Sequence, residues 1–346
     1  MIELDGSMGE GGGQILRTSL ALALITRQAF RLRKIRAGRP KPGLQPQHLM
    51  SVRASATIGQ AKVSGDAIGS RELVFEPGEV KPGKYRFAIG TAGATGLVLH
   101  TIYLPLAWKA AGPSELVLEG GTHVCASPCF HFLQMTWNAW MARLGLHLKL
   151  KMNRTGFYPR GGGQVEAAIQ PCQRIRGLTS TKREPLTRAT GFSAVAGLPE
   201  HIAQRQARRA KYRLRENGIE AEIVEETWSG GPGSVLAITF DCAPAPALFF
   251  GLGARGKPAE KVSDEAVSQA LAYAQSGEPV DPHSADQIVL PLALCENASE
   301  FRVSEVTQHL ITNIAVIQHF ISRDISCDGA DGSPGLVRIA ANDKMD

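Results

Sequence analysis

Hydrophobic and polar positions follow two different periods along the chain. Short segments such as "MIELDG" (1–6) and "YRFAIG" (85–90) alternate apolar and polar residues, which is typical of β-strands. Longer segments such as "GGGQILRTSLALALIT" (11–26) begin with glycines and continue with residues that favour helices. The pattern therefore predicts an α/β (α+β) protein, in which short strands and helices succeed one another.

The predicted elements recur in the order β-α-β-α-β-β. In the first unit, "FRLRKIRAG" (30–38) is the second strand and "LQPQHLMSVRASATIG" (44–59) is the second helix. A similar order follows in the next part of the chain, and "EGGGQ" (10–14) recurs there as "RGGGQ" (160–164). This echo supports an internal repeat, although glycine-rich turns also recur by chance.

A segment of different texture lies between about residues 175 and 280. It contains a basic amphipathic helix at 205–216, strands near 220–240 and, at its end, two helical stretches. The chain from Pro279 onwards returns to strands and helices that complete a third unit. We therefore predict a large domain of three repeated βαβαββ units (1–178 and 280–346) with a smaller inserted α/β domain at 179–279.

Composition places the chain among globular proteins. Apolar residues make up 43% of it and charged residues 20%. The longest apolar runs are too short to cross a bilayer, and acidic Glu3 and Asp5 stand where a signal peptide would be basic. We therefore expect a cytoplasmic protein that does not bind a membrane.

The six cysteines are scattered along the chain. Only Cys125 and Cys129 lie close together, as C-x3-C, with His123 and His131 on either side. A zinc site is one interpretation, but no second Cys/His pair follows at a finger-like spacing. Ordinary reduced thiols are therefore the favoured interpretation.

The net charge of +6 is unevenly distributed. Seven lysines and arginines, and no acidic residue, occur between Arg27 and Lys41. Such a stretch attracts polyanions because its cations neutralise phosphates. A solvated basic edge is the alternative interpretation.

A glycine-rich turn, "GEGGGQILR" (9–17), precedes the first helix. Backbone N–H groups and the helix dipole favour phosphate at such a position, although the Lys-Ser/Thr of a Walker A loop is absent. Glu10 is an acidic residue at this predicted phosphate site, and a divalent cation between its carboxylate and a phosphate would account for it. Arg17 lies about one helical turn further on. A simple tight turn is the alternative.

A second turn, "IRAGRPKPGLQPQHL" (35–49), carries Arg36 and Arg39, and it leads to Gln47 and His48 at the start of the next helix. The planar arginine side chains suit phosphate. Because the two turns each lead into a helix, they could face one cleft at adjacent strand ends.

A third segment, "PHSADQIVLPLAL" (282–294), holds Asp286 and Gln287 before an apolar helix. A helix cap with a first-turn acid is the alternative explanation of these two residues.

The segment "TQHLITNIAVIQHF" (307–320) contains two histidines on one predicted helix. At about 100° per residue, His319 points about 180° away from Leu310 and therefore towards solvent. His309 lies at the border of the apolar face, in the first turn, where the helix dipole disfavours the imidazolium form. The predicted core face consists of Leu310, Ile314, Ile317 and Ile321.

Six segments occur in the order found in RNA 3′-terminal phosphate cyclases, and the chain resembles that family over nearly its whole length. The resemblance implies the three-unit fold with its insert, and an ATP-dependent enzyme that uses a divalent cation, Mg²⁺ or Mn²⁺. It also implies an RNA substrate with a 3′-phosphate end, which is converted to a 2′,3′-cyclic phosphate through a histidine–AMP adduct. A homodimer is left open. The segments are "GEGGGQILR", "IRAGRPKPGLQPQHL", "GTAGATGLVLHT", "GFYPRGGGQVE", "ADQIVLPLAL" and "TQHLITNIAV".

The resemblance also implies roles for individual residues. His309 would be the nucleophile and Glu10 the metal ligand. The residues that would bind phosphates or RNA are Arg17, Arg36, Arg39, Gln47 and His48. The residues that would contact the nucleotide are His100, Pro128, His283, Ser284, Ala285, Asp286 and Gln287.

Two residues depart from the pattern of the family. His100 stands where a glutamine is usual, and His283 stands where a tyrosine that stacks on adenine is frequent. The "SPC" around Pro128 also differs from more proline-rich relatives. Because imidazole can still hydrogen-bond or stack, we expect an altered nucleotide affinity or preference and retained activity.

Three alternative functions fit the sequence less well. A non-enzymatic relative that acts in ribosome assembly would lack the catalytic histidine, whereas this chain has His309 together with Glu10 and the arginines. An enolpyruvyl transferase with a related repeated fold needs neither a histidine nucleophile nor this insert. A bare RNA-binding module leaves the acid in the glycine turn unexplained.

Overall fold

The computed structural model describes residues 1–342 of the chain. The first segment forms a four-stranded sheet in the order β1-β2-β4-β3, with β1 and β2 parallel and the other pairs antiparallel. In its two helices, the recurring apolar side chains face the core and are buried. The elements are β1 (Ile2–Asp5), α1 (Gln14–Thr26), β2 (Phe30–Arg33), α2 (Pro46–Gly59), β3 (Lys62–Ser64) and β4 (Glu72–Glu76).

The second segment repeats this arrangement, with the strand order β5-β6-β8-β7. Its second helix begins as a π-helical turn, Phe132–Trp137, and continues as α4. The other elements are β5 (Lys84–Ala88), α3 (Thr95–Lys109), β6 (Ser114–Gly120), α4 (Asn138–Arg143), β7 (Leu148–Arg154) and β8 (Gly163–Ile169).

A short strand, β9 (Thr179–Ser180), precedes an inserted segment that has its own four-stranded sheet, in the order β11-β10-β12-β13. Two helices cover this sheet and close a separate apolar core around Ile223, Phe240 and Val267. The elements are β10 (Arg188–Ala196), α5 (His201–Glu216), β11 (Glu220–Trp228), β12 (Gly233–Phe240), β13 (Ala247–Leu252) and α6 (Ala259–Ser276).

The last part of the chain completes a sheet with β9. The strand order is β15-β16-β14-β9, which matches the order of the first two sheets when it is followed from β9. The elements are α7 (Pro282–Ala293), β14 (Ser299–Val303), α8 (Gln308–Phe320), β15 (Ile325–Asp328) and β16 (Gly335–Ile339).

The predicted α/β fold class is confirmed. In the first two four-stranded sheets a helix joins two parallel strands, whereas in the last sheet the inserted segment and α7 join parallel β9 and β14. In all three, a later pair of strands adds to the sheet in antiparallel fashion. The domain boundaries stay a prediction, but β9 pairs in parallel with β14, so the inserted sheet begins after Ser180. The basic helix predicted at 205–216 lies within α5.

Three local predictions were wrong. The strand predicted over 30–38 ends at Arg33, because Lys34 and Arg36 adopt left-handed backbone angles (φ 54° and 55°) that leave the strand conformation. The end of the inserted segment contains β13 and one helix, α6, rather than two helical stretches. The "EGGGQ" echo links unlike positions, since residues 10–14 join a strand to a helix and residues 160–164 join two strands.

Helix α1 lies at the centre of the main core, where it packs against α2, α3 and α8. Its sequence is apolar on almost every face, and the structure buries it accordingly. On α8, Leu310, Ile314 and Ile317 are buried as predicted, whereas Ile321 lies just beyond the helix and is half-buried. The N-terminal ends of α1 and α8 lie together, since Gln14 Nε2 donates to Asn313 Oδ1 at 3.0 Å.

None of the helices within residues 1–342 has both the length and the apolar character needed to cross a membrane.

Two substitutions on α8 test its orientation. Ile317 is fully buried and His319 is exposed. We expect Ile317→Ala to lower the free energy of unfolding by about 2–5 kcal/mol, through lost burial and a cavity. The matched control His319→Ala should change it by about 0.5 kcal/mol or less. Urea denaturation followed by tryptophan fluorescence measures both, and equal effects would contradict this orientation.

Candidate functional site

The predicted site residues converge on one cleft with a volume of about 520 Å³. All of them line it except Ser284 and Ala285, which are buried in the first turn of α7 beneath its surface. Segments far apart in sequence therefore supply one site. The predicted residues that line the cleft are Glu10, Arg17, Arg36, Arg39, Gln47, His48, His100, Pro128, His283, Asp286, Gln287 and His309.

His309 lies in the first turn of α8, next to the carboxylate of Glu10. Thr307 caps this helix, with its hydroxyl accepting from Leu310 N at 3.1 Å. His309 Nδ1 is 3.3 Å from Glu10 Oε2, and partial burial lowers the pKa of the imidazole while Glu10 opposes that shift. A neutral ring that carries its proton on Nδ1, towards Glu10, leaves the lone pair on Nε2. The arrangement therefore orients a neutral, nucleophilic nitrogen.

Three arginines surround this pair. Arg39 Nη2 lies 2.6 Å from Glu10 Oε2, and Arg36 Nη1 donates to the carbonyls of Lys41 and Gly43. Burial lowers the pKa of Arg17 to about 10, so its guanidinium remains charged at neutral pH. Three fixed positive charges around one cleft favour a ligand with several phosphates.

The glycines of the first turn allow these groups to approach it. A Cβ at Gly13 would lie 2.5 Å from His48 Nε2 and 2.8 Å from Arg17 Nη1. A side chain at this position would therefore displace two of the groups that line the cleft.

Two buried histidines are neutral. Burial, with Arg17 nearby, lowers the pKa of both His48 and His100 to about 3. In the described part of the chain, His48 Nδ1 and His100 Nε2 have no hydrogen-bond partner. Gln47 differs, since its Oε1 accepts from Ala94 N at 3.0 Å. The two imidazoles can therefore hydrogen-bond a ligand without adding charge.

Asp286 is a buried carboxyl in the second turn of α7. The alternative explanation as a cap does not hold, because Asp281 caps this helix by accepting from the backbone N–H groups of His283 and Ser284. Burial raises the pKa of Asp286 to about 8, although Arg17 acts in the opposite direction. Among the described residues, Asp286 Oδ1 and Gln287 Oε1 lack partners. Both side chains are therefore available to a ligand.

The remaining wall of the cleft is formed by ring-bearing side chains. Pro128, Phe132 and His283 line it, and the Phe132 and His283 rings meet edge to face with centroids 6.2 Å apart. His100 packs on Trp137 at 4.9 Å, and Trp137 lies at the end of the π-helical turn. Such a wall suits a planar base.

The residues present also fit a divalent cation at Glu10. The Glu10 side chain is 9% exposed, and its Oε1 has no partner within the described chain. Residues 1–342 hold no cluster of three or more His, Cys, Asp or Glu side chains suited to a metal. A cation at Glu10 would therefore take further ligands from phosphate oxygens and water, as Mg²⁺ commonly does. The same finding disfavours zinc at Cys125 and Cys129, and all six thiols are free.

Sequence reasoning missed several residues of the cleft. Gln14 and Asn313 connect its helices through hydrogen bonds, and Phe250 and Gln269 extend the inserted segment to its wall. Asn313 had a detectable signal, because it is a polar residue one helical turn after His309 on a largely apolar helix. The positions of Phe250 and Gln269 at the cleft depend on how the inserted segment packs, so local sequence patterns do not predict them.

Comparisons with known proteins identify the family. A family model described as RNA 3′-terminal phosphate cyclase matches residues 8–327. A protein of that name from Salmonella typhimurium is 40% identical over 98% of this chain and 99% of its own. Proteins of the same name from Ralstonia nicotianae (43% identical; 99% of this chain, 97% of that protein) and Trichormus variabilis (44%; 92% and 94%) are similar. The chain thus belongs to the RNA 3′-terminal phosphate cyclase family.

Proposed function

We propose that this protein converts an RNA 3′-terminal phosphate to a 2′,3′-cyclic phosphate at the expense of ATP, through a covalent His309–AMP intermediate. The contact between His309 Nδ1 and Glu10 Oε2, within a cleft that also holds three arginines, is the observation that carries the proposal. The names of the relatives agree with the overall reaction.

In the first step, His309 Nε2 attacks the α-phosphorus of ATP. An N–P bond forms, the bond from the α-phosphorus to the bridging oxygen breaks, and pyrophosphate leaves with that electron pair. Glu10 holds the Nδ1 proton of the ring and stabilises positive charge that develops on the imidazole. Arg17, Arg36 and Arg39 offset negative charge on the phosphates.

The second and third steps transfer AMP and close the ring. An oxygen of the RNA 3′-phosphate attacks the phosphorus of His309–AMP, and the N–P bond breaks to release His309. The neighbouring 2′-hydroxyl then attacks the 3′-phosphorus and AMP leaves with the bridging oxygen. A phosphate monoester has no good leaving group, so adenylylation supplies one. Holding the 2′-hydroxyl in line provides much of the remaining acceleration.

Glu10 is the residue that would hold a divalent cation. When bound, the cation supplies positive charge beside the phosphates. The chain itself fixes the position of Glu10, since Arg39 binds Oε2 and the backbone N–H of Glu10 donates to Thr312 Oγ1 at 3.3 Å. Oε1 remains available.

We assign the wall formed by Pro128, Phe132 and His283 to the base of ATP. Pro128 and His283 would lie against it, while Asp286 and Gln287 would supply hydrogen bonds. The imidazoles of His100 and His283 would change nucleotide affinity or preference relative to relatives with glutamine and tyrosine at these positions.

Covalent labelling tests the nucleophile. Incubation with ATP labelled at the α-phosphate and a divalent cation should label the wild type with a bond that is acid-labile and alkali-stable, as a phosphoramidate is. His309→Ala should lose the label. His319→Ala, on the exposed side of the same helix, is the matched control and should retain it. An unlabelled wild type, or a labelled His309→Ala, would refute the proposed intermediate.

The buried carboxyl predicts a pH-dependent stability. Because the pKa of Asp286 is raised from 3.8 to about 8, the folded protein retains a proton that the unfolded chain releases. Stability should therefore decrease as pH rises through this range. Asp286→Asn removes this dependence, so we expect its stability relative to wild type to increase by up to about 1.4 kcal/mol per pH unit.

Unfolding midpoints at several pH values, without nucleotide, measure this difference. The exposed Asp241→Asn provides the control and should follow the wild type. A constant difference between Asp286→Asn and wild type across this range would rule out the neutral, buried carboxyl. Weaker nucleotide binding by Asp286→Asn would indicate that the destabilising carboxyl is kept for its ligand.

A further inference from the structure

Four side chains connect three helices of the cleft by hydrogen bonds. Arg17 Nη2 donates to Gln14 Oε1 at 2.6 Å, and Gln14 Nε2 donates to Asn313 Oδ1 at 3.0 Å. Thr18 Oγ1 also donates to Asn313 Oδ1, at 2.5 Å. Asn313 Nδ2 in turn donates to the backbone carbonyl of Asp286 at 2.5 Å. Helices α1, α8 and α7 therefore meet at one buried amide.

The polarity of the network fixes the orientation of both amides. The Arg17 guanidinium can only donate, so the side of Gln14 that faces it must be the oxygen. The Asp286 carbonyl can only accept, so the side of Asn313 that faces it must be the nitrogen. Donors therefore run in one direction, from a guanidinium to a backbone carbonyl. Asn313 is 2% exposed, its oxygen accepts from both Gln14 and Thr18, and its nitrogen donates to the Asp286 carbonyl.

Asn313 lies four residues after His309 and therefore one turn further along the same face of α8. Between them in sequence, Thr312 Oγ1 accepts from the backbone N–H of Glu10. The two contacts attach the nucleophile helix to both sides of the glycine-rich turn. The relative positions of His309, Glu10 and Arg17 thus depend on α8 keeping its present place on α1.

We propose that Asn313 is a positioning residue for the transfer of AMP to His309. Asn313 holds α8 against α1 and α7, so that the imidazole of His309 keeps its contact with Glu10. This inference rests on the function proposed above. Helix packing alone would allow α8 small shifts, because its contacts with α1 are otherwise largely apolar and non-directional. A displacement of about 1 Å at a reacting group can reduce a rate about 100-fold.

Single-turnover formation of the protein–AMP adduct, at a temperature where every variant is folded, tests the proposal. Asn313→Leu keeps the approximate shape of the side chain and removes the amide. We expect its maximal rate to fall about 10- to 100-fold, with the ATP concentration for half-maximal rate changed by less than about threefold. Ser19→Ala is the control, since it removes a buried hydrogen bond to Ile15 O on α1 and leaves α8 untouched. It should react like the wild type.

A double-mutant cycle separates positioning from general weakening of the core. Thr18→Val removes one donor to Asn313 Oδ1, so the losses of rate in Thr18→Val and Asn313→Leu should be less than multiplicative when combined. Multiplicative losses would overturn a shared network. A half-maximal ATP concentration that rises in proportion to the lost rate would instead make Asn313 a nucleotide contact, and an undiminished maximal rate would make it purely structural.

The state of His309 gives a readout that needs no reaction. With the imidazole nitrogens labelled with ¹⁵N, the NMR resonance of His309 Nδ1 should shift in Asn313→Leu and stay unchanged in Ser19→Ala. A wild type that forms no covalent AMP adduct would refute the proposed function. A His309 resonance that does not shift in Asn313→Leu would instead refute the role of Asn313. The two failures are therefore distinguishable.

Discussion

The packing of α8 on the glycine-rich turn before α1 is the constraint on which the cleft depends. Gly9 has a left-handed backbone (φ +55°), and a Cβ there would lie 2.1 Å from Thr312 Oγ1. Only glycine fits both the backbone angle and the space. This close approach brings Glu10 to His309, although the two lie near opposite ends of the chain. The contact between Glu10 and His309 therefore requires a glycine at position 9.

The three segments with similar sheets contribute different residues to the cleft. The first segment provides Glu10 and the arginines, the second provides His100 and the apolar wall around Pro128, and the last provides the helices that bear Asp286 and His309. A repeated topology places helix ends around a common centre, while each copy has its own polar residues there. Symmetry in the backbone thus serves an asymmetric set of chemical groups.

Local patterns in the sequence predicted much of this and failed for definite reasons. Helical periodicity gave the correct outward position of His319, because burial along one helix follows a fixed angle. The left-handed angles at Lys34 and Arg36 and the strand β13 were missed, since tertiary contacts decide them. The network at Asn313 joins residues about 300 positions apart, and no pattern within one helix specifies its partners.

The position of α8 in the chain also bears on how the protein is made. The glycine-rich turn (9–17) and the second turn (35–49) belong to the first segment, whereas α8 follows the entire inserted segment. During synthesis, the arginines that line the cleft are therefore made long before the imidazole. Similarly, β9 pairs with β14, so this sheet can form only after the inserted segment has been synthesised. A chain that ends within the inserted segment would therefore contain the arginines without the histidine.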